Sequence, residues 1–279
     1  MTKMDFRIVR RTGAWILMSI LVVTQLYPLV WLLLYSFKTS SEIVSGQFFA
    51  LPKRFMWENY VDAFTSGNYL KYIGNSIWVT GITLILTIVL SGMVSYAITR
   101  FKWRYGNIIM LVFMVGIMIP IQSTLLPLMV IFKNMSILNT HASIIIPYVA
   151  FSIPVAVFIL SGFLRGIPSE IEESAMIDGA SIYRIFFSIV LPIMMPPIMT
   201  VTILTFISIW NEYIIAATFI SADSLKTLPF GVNSFVGQYT ANYGSIGAYL
   251  VLGALPVITF YFILSDKITK GMVAGAVKG

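Results

Sequence analysis

The feature that most constrains this chain is a series of long apolar runs with almost no charge. Six of them lie at roughly 13–37, 73–99, 107–132, 142–164, 190–220 and 247–265. A helix needs about 20 apolar residues to cross a hydrocarbon layer about 30 Å thick. Because the runs are continuous and do not alternate with polar residues, they favour helices over barrel strands. The sequence therefore predicts an all-α polytopic membrane protein with six transmembrane helices.

The first run follows a basic segment that holds Lys3, Arg7, Arg10 and Arg11, as a signal peptide would. Its apolar stretch exceeds the roughly 7–15 residues of a signal-peptide core, and we interpret it as an uncleaved span. The net charge of +7 does not indicate nucleic-acid binding, because the basic residues are dispersed at the ends of the spans. The absence of cysteine excludes disulfides and thiolate metal sites.

The basic residues predict the orientation of the spans. With a cytoplasmic N-terminus, the inner segments hold Lys3, Arg7, Arg10, Arg11, Arg100, Lys102, Arg104, Arg165, Arg184, Lys267, Lys270 and Lys278. The outer segments hold only Lys38, Lys53, Arg54, Lys71, Lys133 and Lys226. Since cytoplasmic loops carry the excess of Lys and Arg, both termini are expected on the cytoplasmic side of the membrane.

An acidic stretch lies between the fourth and fifth spans, on the predicted inner side. Ser169 and Glu172 have the spacing of a capping box, and Gly179 is placed to end a helix in the left-handed conformation. The resulting helix of about eight residues, roughly 12 Å long, is too short to be stable alone in water. It must dock on something, which is either a partner protein or the membrane domain of its own chain.

The residues of this loop resemble the signature of permease subunits in bacterial ABC importers. Glu173-Ser174-Ala175, then Gly179, then Ile189-Val190-Leu191-Pro192 keep every spacing of that motif. The one departure is Ser174, which stands where the family has alanine. The resemblance implies a type I ABC importer permease fold in which this loop is the helix that docks on an ATPase subunit.

Further motifs are similar to those of carbohydrate importers and extend the resemblance over essentially the whole chain. They are Asn75-Ser76, Tyr96-Ala97-Ile98-Thr99-Arg100-Phe101, Trp210-Asn211-Glu212-Tyr213 and the C-terminal Gly271–Gly279, which is similar to the maltose-type second permease. The resemblance implies several partners: a second, unlike permease, an ATPase dimer and an extracytoplasmic sugar-binding protein. It also implies a sugar substrate and surrounding membrane lipid, and no nucleic acid.

The resemblance assigns roles to two groups of residues. Coupling to the ATPase is expected from Glu170, Glu172, Glu173, Ser174, Ala175, Ile177, Asp178 and Gly179. Contact between the tail and the ATPase is expected from Val277, Lys278 and Gly279. Three segments follow: 1–70 with the first span and an outer loop, 71–266 as the core domain with its coupling loop at 165–189, and 267–279 as a cytoplasmic tail.

The chain lacks the residues of an enzyme. A phosphate-binding Walker loop needs glycine followed by lysine, and no glycine here precedes a lysine. His141 is the only histidine, and we interpret it as a hydrogen-bonding group at the outer end of the fourth span. We therefore expect no catalytic site, no metal site and no cofactor in this chain, with ATP and Mg²⁺ bound by the partner ATPase.

Four polar or aromatic residues are candidates for the substrate path. Gln122 follows Pro120 within a predicted span, and Trp210, Asn211 and Glu212 lie together in another. Trp210 and Asn211 have the chemistry for sugar stacking and hydrogen bonding, and an acidic residue within a span is a candidate functional residue. The alternative is that all four are polar contacts between helices.

Other functions remain open at this level. A secondary transporter would have charged relays across several spans or two inverted halves with matching breaks, and neither is seen. A membrane-embedded enzyme would need a converging metal or nucleophile set. An ABC permease for a solute that is not a sugar is the remaining alternative.

Overall fold

The computed structural model describes residues 3–46, 50–101 and 103–276, with side chains for residues 11–46, 50–101 and 103–264. Across these residues the backbone is helical apart from loops and one isolated β-bridge between Val236 and Ala241. The helices are α1 (Lys3–Tyr35), α2 (Ser40–Val44), α3 (Glu58–Thr65), α4 (Tyr69–Arg100), α5 (Gly106–Ile117), α6 (Leu125–Asn134), α7 (Ala142–Leu164), α8 (Glu170–Ile177), α9 (Ile182–Ile185), α10 (Leu191–Ile193), α11 (Met195–Trp210), α12 (Ile214–Phe219) and α13 (Tyr243–Ala276).

Four helical stretches are long and apolar enough to cross a membrane unbroken: Arg11–Tyr35, Tyr69–Arg100, Ala142–Leu164 and Tyr243–Leu264. Two more candidates are bent pairs. Gly106–Ile117 meets Ile121–Asn134 at 93°, and Ile182–Ile193 meets Met195–Trp210 at 74°. If each bent pair counts as one crossing, the described chain has six, which agrees with the predicted all-α fold of six transmembrane helices.

The two bends lie within the predicted spans 107–132 and 190–220, which are therefore not single helices. Pro120 has an extended backbone (φ −68°, ψ 127°) and begins a 3₁₀ turn over Ile121–Thr124. Pro196 and Pro197 lie in the first turn of α11, where a missing backbone N–H costs no intrahelical bond. These prolines therefore begin new helices and do not kink the middle of one, which the apolar pattern alone did not reveal.

Two compact units make up the chain. The first comprises residues 1–69 and 231–254, and the second comprises residues 70–230 and 255–279. In the first unit, the buried Asn59 amide donates to the backbone carbonyls of Ser36 (2.8 Å) and Lys38 (2.9 Å). The Phe37 ring packs edge-on against Trp57. These contacts fasten α3 to the end of α1.

The second unit contains the predicted site. Its buried core brings one end of α4 together with α7 and with the segment that follows α8. A π-helical stretch, Phe186–Val190, lies between α9 and α10. The core residues are Tyr96, Ala156, Leu160, Leu164, Ala175, Ile185, Phe186, Val190, Met194, Ile198 and Val201. The short helix α8 is thus anchored to the core through Ala175.

Candidate coupling surface

The predicted short helix is present as α8, Glu170–Ile177. It ends in a complete Schellman motif: the Gly179 N–H donates to the Met176 carbonyl, and the Ala180 N–H donates to the Ala175 carbonyl, each at 3.0 Å. Gly179 has a φ of +82°, a conformation that costs side-chain-bearing residues energy. The expectation that Gly179 closes the helix in the left-handed conformation is confirmed.

The capping box expected at the start of α8 is wrong. Ser169 adopts helical dihedrals (φ −71°, ψ −19°), and its side chain does not cap the helix. Its hydroxyl donates instead to Glu173 Oε1 at 3.1 Å. Glu172, the supposed second member of the box, turns towards the interior. A stronger partner elsewhere in the fold explains this difference.

That partner is Arg100, the last residue of α4. Arg100 Nε lies 2.6 Å from Glu172 Oε1, and the two side chains are only 13% and 6% exposed. Arg100 Nη2 also donates to the Ile167 carbonyl at 3.0 Å, and the Tyr96 hydroxyl lies near enough to interact with the Glu172 carboxylate. A buried carboxylate is stable only when paired and hydrogen-bonded, and here both conditions hold.

The remaining coupling candidates face away from the core of the second unit. Only Glu172 and Ala175 of α8 are buried. Ile177 is 87% exposed although it is apolar. Because Ile177 lies outside the candidate membrane spans, its exposed side chain is accessible to a partner protein. The exposed candidates are Glu170, Glu173, Ser174, Ile177, Asp178 and Gly179, and we call them the docking face.

The acidic residues of the docking face suit the end of the helix where they lie. Glu170 and Glu173 are in the first turn of α8, where carboxylates interact favourably with the positive end of the helix dipole. They remain exposed and are free to meet a basic partner. Within the described loop, Glu172 is therefore paired with Arg100 in the interior, and the other two carboxylates of the first turn lie on the surface.

A second polar cluster lies where α4 begins. Asp223 accepts hydrogen bonds from the Tyr72 hydroxyl (2.6 Å) and from Lys71 Nζ (3.1 Å). The Asn75 amide donates to the carbonyls of Ser224 and Lys226, each at 2.8 Å. The hydrogen bond from Tyr72 and the neighbouring lysines lower the pKa of Asp223 to about 2. The loop that follows α12 is thereby attached to the start of α4.

The four substrate-path candidates have different surroundings. The Trp210 ring is buried and stacks on Phe206 at 5.2 Å between centroids, and Phe206 in turn stacks on Phe260 at 3.8 Å. These rings border an apolar cavity of about 480 Å³. Asn211 is exposed, and its amide donates to the Ile207 carbonyl at 2.9 Å. Trp210 therefore already has a ring against one of its faces.

Glu212 is engaged with its own chain. Its carboxylate accepts hydrogen bonds from the Tyr148 hydroxyl and from the backbone N–H groups of Ile215 and Ala216. Gln122 is exposed on the 3₁₀ turn after Pro120. The substrate path through Gln122, Trp210, Asn211 and Glu212 stays a prediction, as does the tail contact. The tail residues Val277, Lys278 and Gly279 lie outside the described residues.

Sequence reasoning missed the contribution of α4 to this surface. Arg100 is separated from Glu172 by 72 positions, and no local pattern connects them. A signal was nevertheless present, because Tyr96 and Arg100 are four residues apart and so lie on one face of a helix. Two polar groups on one face of an apolar helix indicate a polar partner on the neighbouring segment.

Comparison with known proteins decides the family. Residues 88–273 match the model of the binding-protein-dependent transport system inner membrane component. The chain belongs to this family. The matched region includes α8, its docking face and the end of α4. This permease chain is accordingly a transport component located in a membrane and is not an enzyme.

Curated relatives align with the permease over nearly its full length. It is 32% identical to the sulfoquinovosyl glycerol transport system permease of Agrobacterium fabrum, over 94% of this chain and 92% of the relative. It is also 32% identical to the diacetylchitobiose uptake system permease of Streptomyces coelicolor, over 93% of this chain and 85% of the relative.

A solved structure shares the fold of the permease. A chain from a bacterial ABC transporter involved in the import of the acidic polysaccharide alginate superposes with a TM-score of 0.80. The match covers 95% of this chain and 98% of the other, at 20% sequence identity. The architecture of an ABC importer permease is therefore shared, beyond what sequence identity alone would indicate.

Proposed function

We propose that this permease imports a sugar or an oligosaccharide with energy from ATP hydrolysis on a separate subunit. The observation that carries the proposal is that the family match and the names of the relatives indicate the same kind of transport. The family is that of binding-protein-dependent transport, and relatives similar over nearly their whole length transport glycosides. The permease would form half of the translocation path, and a binding protein would deliver the sugar.

The docking face supports coupling to an ATPase. It offers two exposed carboxylates, Glu170 and Glu173, beside the apolar Ile177. A partner cleft with a basic rim and an apolar floor would complement it, since opposite charges guide association and buried apolar area stabilises it. Only exposed residues of α8 would enter that cleft, whereas Glu172 and Ala175 would hold the helix to its own chain.

The complete assembly we propose has four kinds of component: this permease, a second and unlike permease, an ATPase dimer and the sugar-binding protein. Both termini of this chain are proposed to be cytoplasmic, from the distribution of Lys and Arg. ATP and Mg²⁺ would be bound by the ATPase alone. In this arrangement Val277, Lys278 and Gly279 would contact the ATPase dimer.

The test is transport by the assembled complex in liposomes. ATP is supplied on the side of the ATPase, and the binding protein is added on the other with one candidate solute at a time. The saccharide panel contains sulfoquinovosyl glycerol, diacetylchitobiose and maltotriose, and the comparison panel contains amino acids, a short peptide and inorganic phosphate. We expect ATP-dependent uptake of a saccharide only. Uptake from the comparison panel alone would contradict the sugar assignment.

A further inference from the structure

The coupling loop touches α4 at three successive places along the chain. Before α8, the Ile167 carbonyl accepts from Arg100 Nη2 at 3.0 Å. Within α8, Glu172 Oε1 accepts from Arg100 Nε at 2.6 Å. After α8, the Phe186 ring packs against the Tyr96 ring with centroids 5.3 Å apart. Two residues of α4 therefore hold the entry, the first turn and the exit of the loop.

These contacts have the chemistry of a rigid connection. The planar guanidinium of Arg100 uses two of its donors on two different acceptors, which restrains direction as well as distance. The Tyr96 hydroxyl interacts with the Glu172 carboxylate as a second group of α4, one helical turn from Arg100 on the same face of the helix. Because the Arg100 and Glu172 side chains are 13% and 6% exposed, salt in the solvent screens their attraction little.

The rest of the loop packs through apolar contacts. Ala175 packs into the core of the second unit, and an apolar cavity of about 220 Å³ separates part of α4 from the segment after α8. Met93, Phe101, Tyr183 and Phe187 are among the residues that line it. Side chains that border such a cavity have room to shift. The ion-paired side chains of Arg100 and Glu172 do not. The polar contacts are therefore the restraint that would make α8 and α4 move together.

We propose that Arg100 and Tyr96 are positioning residues that clamp the coupling loop to α4 through Glu172, so that a displacement of α8 moves α4 with it. This inference rests on the proposed docking of α8 on an ATPase. The start of α4 carries Lys71 and Tyr72, which hold Asp223. A movement imposed at Arg100 would therefore reach the loop after α12 through one continuous helix.

The test measures the distance between α8 and α4 in the assembled complex with the ATPase. The natural chain has no cysteine, so Met176→Cys on α8 and Leu90→Cys on α4 give two unique sites for spin labels. Both side chains are about half exposed, at 50% and 41%. Met176 is outside the docking face. Distances are measured by pulsed electron paramagnetic resonance without nucleotide and with ATP and vanadate.

We expect a single narrow distance in the otherwise unaltered chain, with the same value in both nucleotide states. Arg100→Gln should broaden the distribution and make it change with nucleotide, because α8 then moves without α4. The exchanged pair Arg100→Glu with Glu172→Arg should restore a narrow distribution. A residue that only stabilised the fold would not make the distance depend on nucleotide.

The control is Arg104→Gln, which removes a nearby exposed arginine that lies over the Tyr105 ring. It should leave the distances unaltered. If Arg100→Gln fails to accumulate in the membrane, Tyr96→Phe removes only one hydroxyl and should produce a smaller broadening of the same kind. A narrow, nucleotide-independent distance in the folded Arg100→Gln and Tyr96→Phe chains would overturn the proposal.

This measurement is independent of sugar. Failure of the proposed sugar transport would appear as absent saccharide uptake with normal label distances. Failure of the proposed docking would appear earlier, as loss of co-purification between the unaltered permease and the ATPase. Failure of the clamp alone would leave uptake and co-purification intact and give identical distances in all chains.

Discussion

The Tyr148 hydroxyl donates a 2.5 Å hydrogen bond to Glu212 Oε2, although the two residues are 64 positions apart. Glu212 Oε1 accepts from the Ile215 N–H at 2.8 Å, and Oε2 accepts a longer bond of 3.3 Å from Ala216. The carboxylate thus satisfies backbone donors at the start of α12 and joins that helix to α7. Glu212 has a structural role here, whatever further role it has in transport.

We expect Glu212→Ala to lower the thermal unfolding temperature of the purified complex. Three donors lose their acceptor, and removing the acceptor of buried hydrogen bonds costs about 1–3 kcal/mol. Tyr148→Phe should have a smaller effect of the same sign, because only one donor is removed. Asn211→Ala is the neighbouring control and should cost little, since that side chain is exposed. Full stability of Glu212→Ala with loss of uptake would instead place Glu212 in the substrate path.

A substitution at Gly179 should uncouple ATP hydrolysis from transport. Gly179→Val forces a β-branched residue into φ +82°, which costs roughly 1–2 kcal/mol because of its Cβ. No atom lies within 4 Å of that Cβ, so the strain is in the backbone and redirects the exit from α8. We expect normal membrane insertion and a loss of uptake per ATP hydrolysed in liposomes.

Gly179→Asn provides the matched control, because asparagine tolerates the left-handed conformation better than valine. It should retain most of the coupling. An equal loss of coupling in the two variants would show that the added side chain at position 179 is responsible. The backbone conformation would then not be the cause. Wild-type coupling in Gly179→Val would contradict the role of the Schellman motif.

Single cysteines should report the orientation of the loops. Because the natural chain has none, Lys53→Cys, Glu170→Cys and Ser224→Cys each give one reactive site at an exposed position. In intact cells we expect an impermeant maleimide to label positions 53 and 224. Position 170 should react only after the membrane is opened. Labelling of position 170 from outside would contradict the proposed cytoplasmic docking face.

Acid should weaken the cluster around Asp223. The folded-state pKa is about 2, below the usual 3.8, so ionised Asp223 stabilises the fold at neutral pH. This contribution is complete above about pH 4 and is lost as the pH falls towards 2. Because the side chain is 51% exposed, the effect should be small, below about 1 kcal/mol.

The measurement is the thermal unfolding temperature of the purified chain at about pH 5 and about pH 2.5. The acid-induced decrease should be smaller in Asp223→Asn, which cannot lose the charge. Glu58→Gln is the control at another exposed pair, Arg54–Glu58 at 3.8 Å. An equal decrease in the unaltered chain and in Asp223→Asn would show that Asp223 does not contribute.

Much of the fold was predictable because a membrane imposes a length on every apolar run. The six runs predicted six crossings, and Gly179 predicted the end of α8, since left-handed backbone has few substitutes for glycine. The start of a new helix after the bends at Ile117–Ile121 and at Met194 could not be predicted. A proline within an apolar run is compatible with either a kink or a new helix, and the choice depends on tertiary packing.

The site was predictable only where it is local. The length of α8 and its acidic first turn depend on residues that are neighbours in the sequence. The local motif therefore predicted both. The orientation of Glu172 does not, because it depends on Arg100 at the end of a different helix. A local capping rule assigned Glu172 to the wrong partner. Glu172 could form either a local capping bond or a buried ion pair with Arg100. Burial favours the ion pair, and burial cannot be read from the sequence.

The separation of α8 into two faces has an evolutionary consequence. Glu172 and Ala175 contact residues encoded by the same gene. Glu170, Glu173 and Ile177 would instead contact a protein encoded by the ATPase gene. Drift in an ATPase therefore selects compensating changes at only a few codons of this loop. If one ATPase served several permeases, the codons for Glu170, Glu173 and Ile177 would stay similar among those permeases. The codons for Glu172 and Ala175 could diverge together with those of α4.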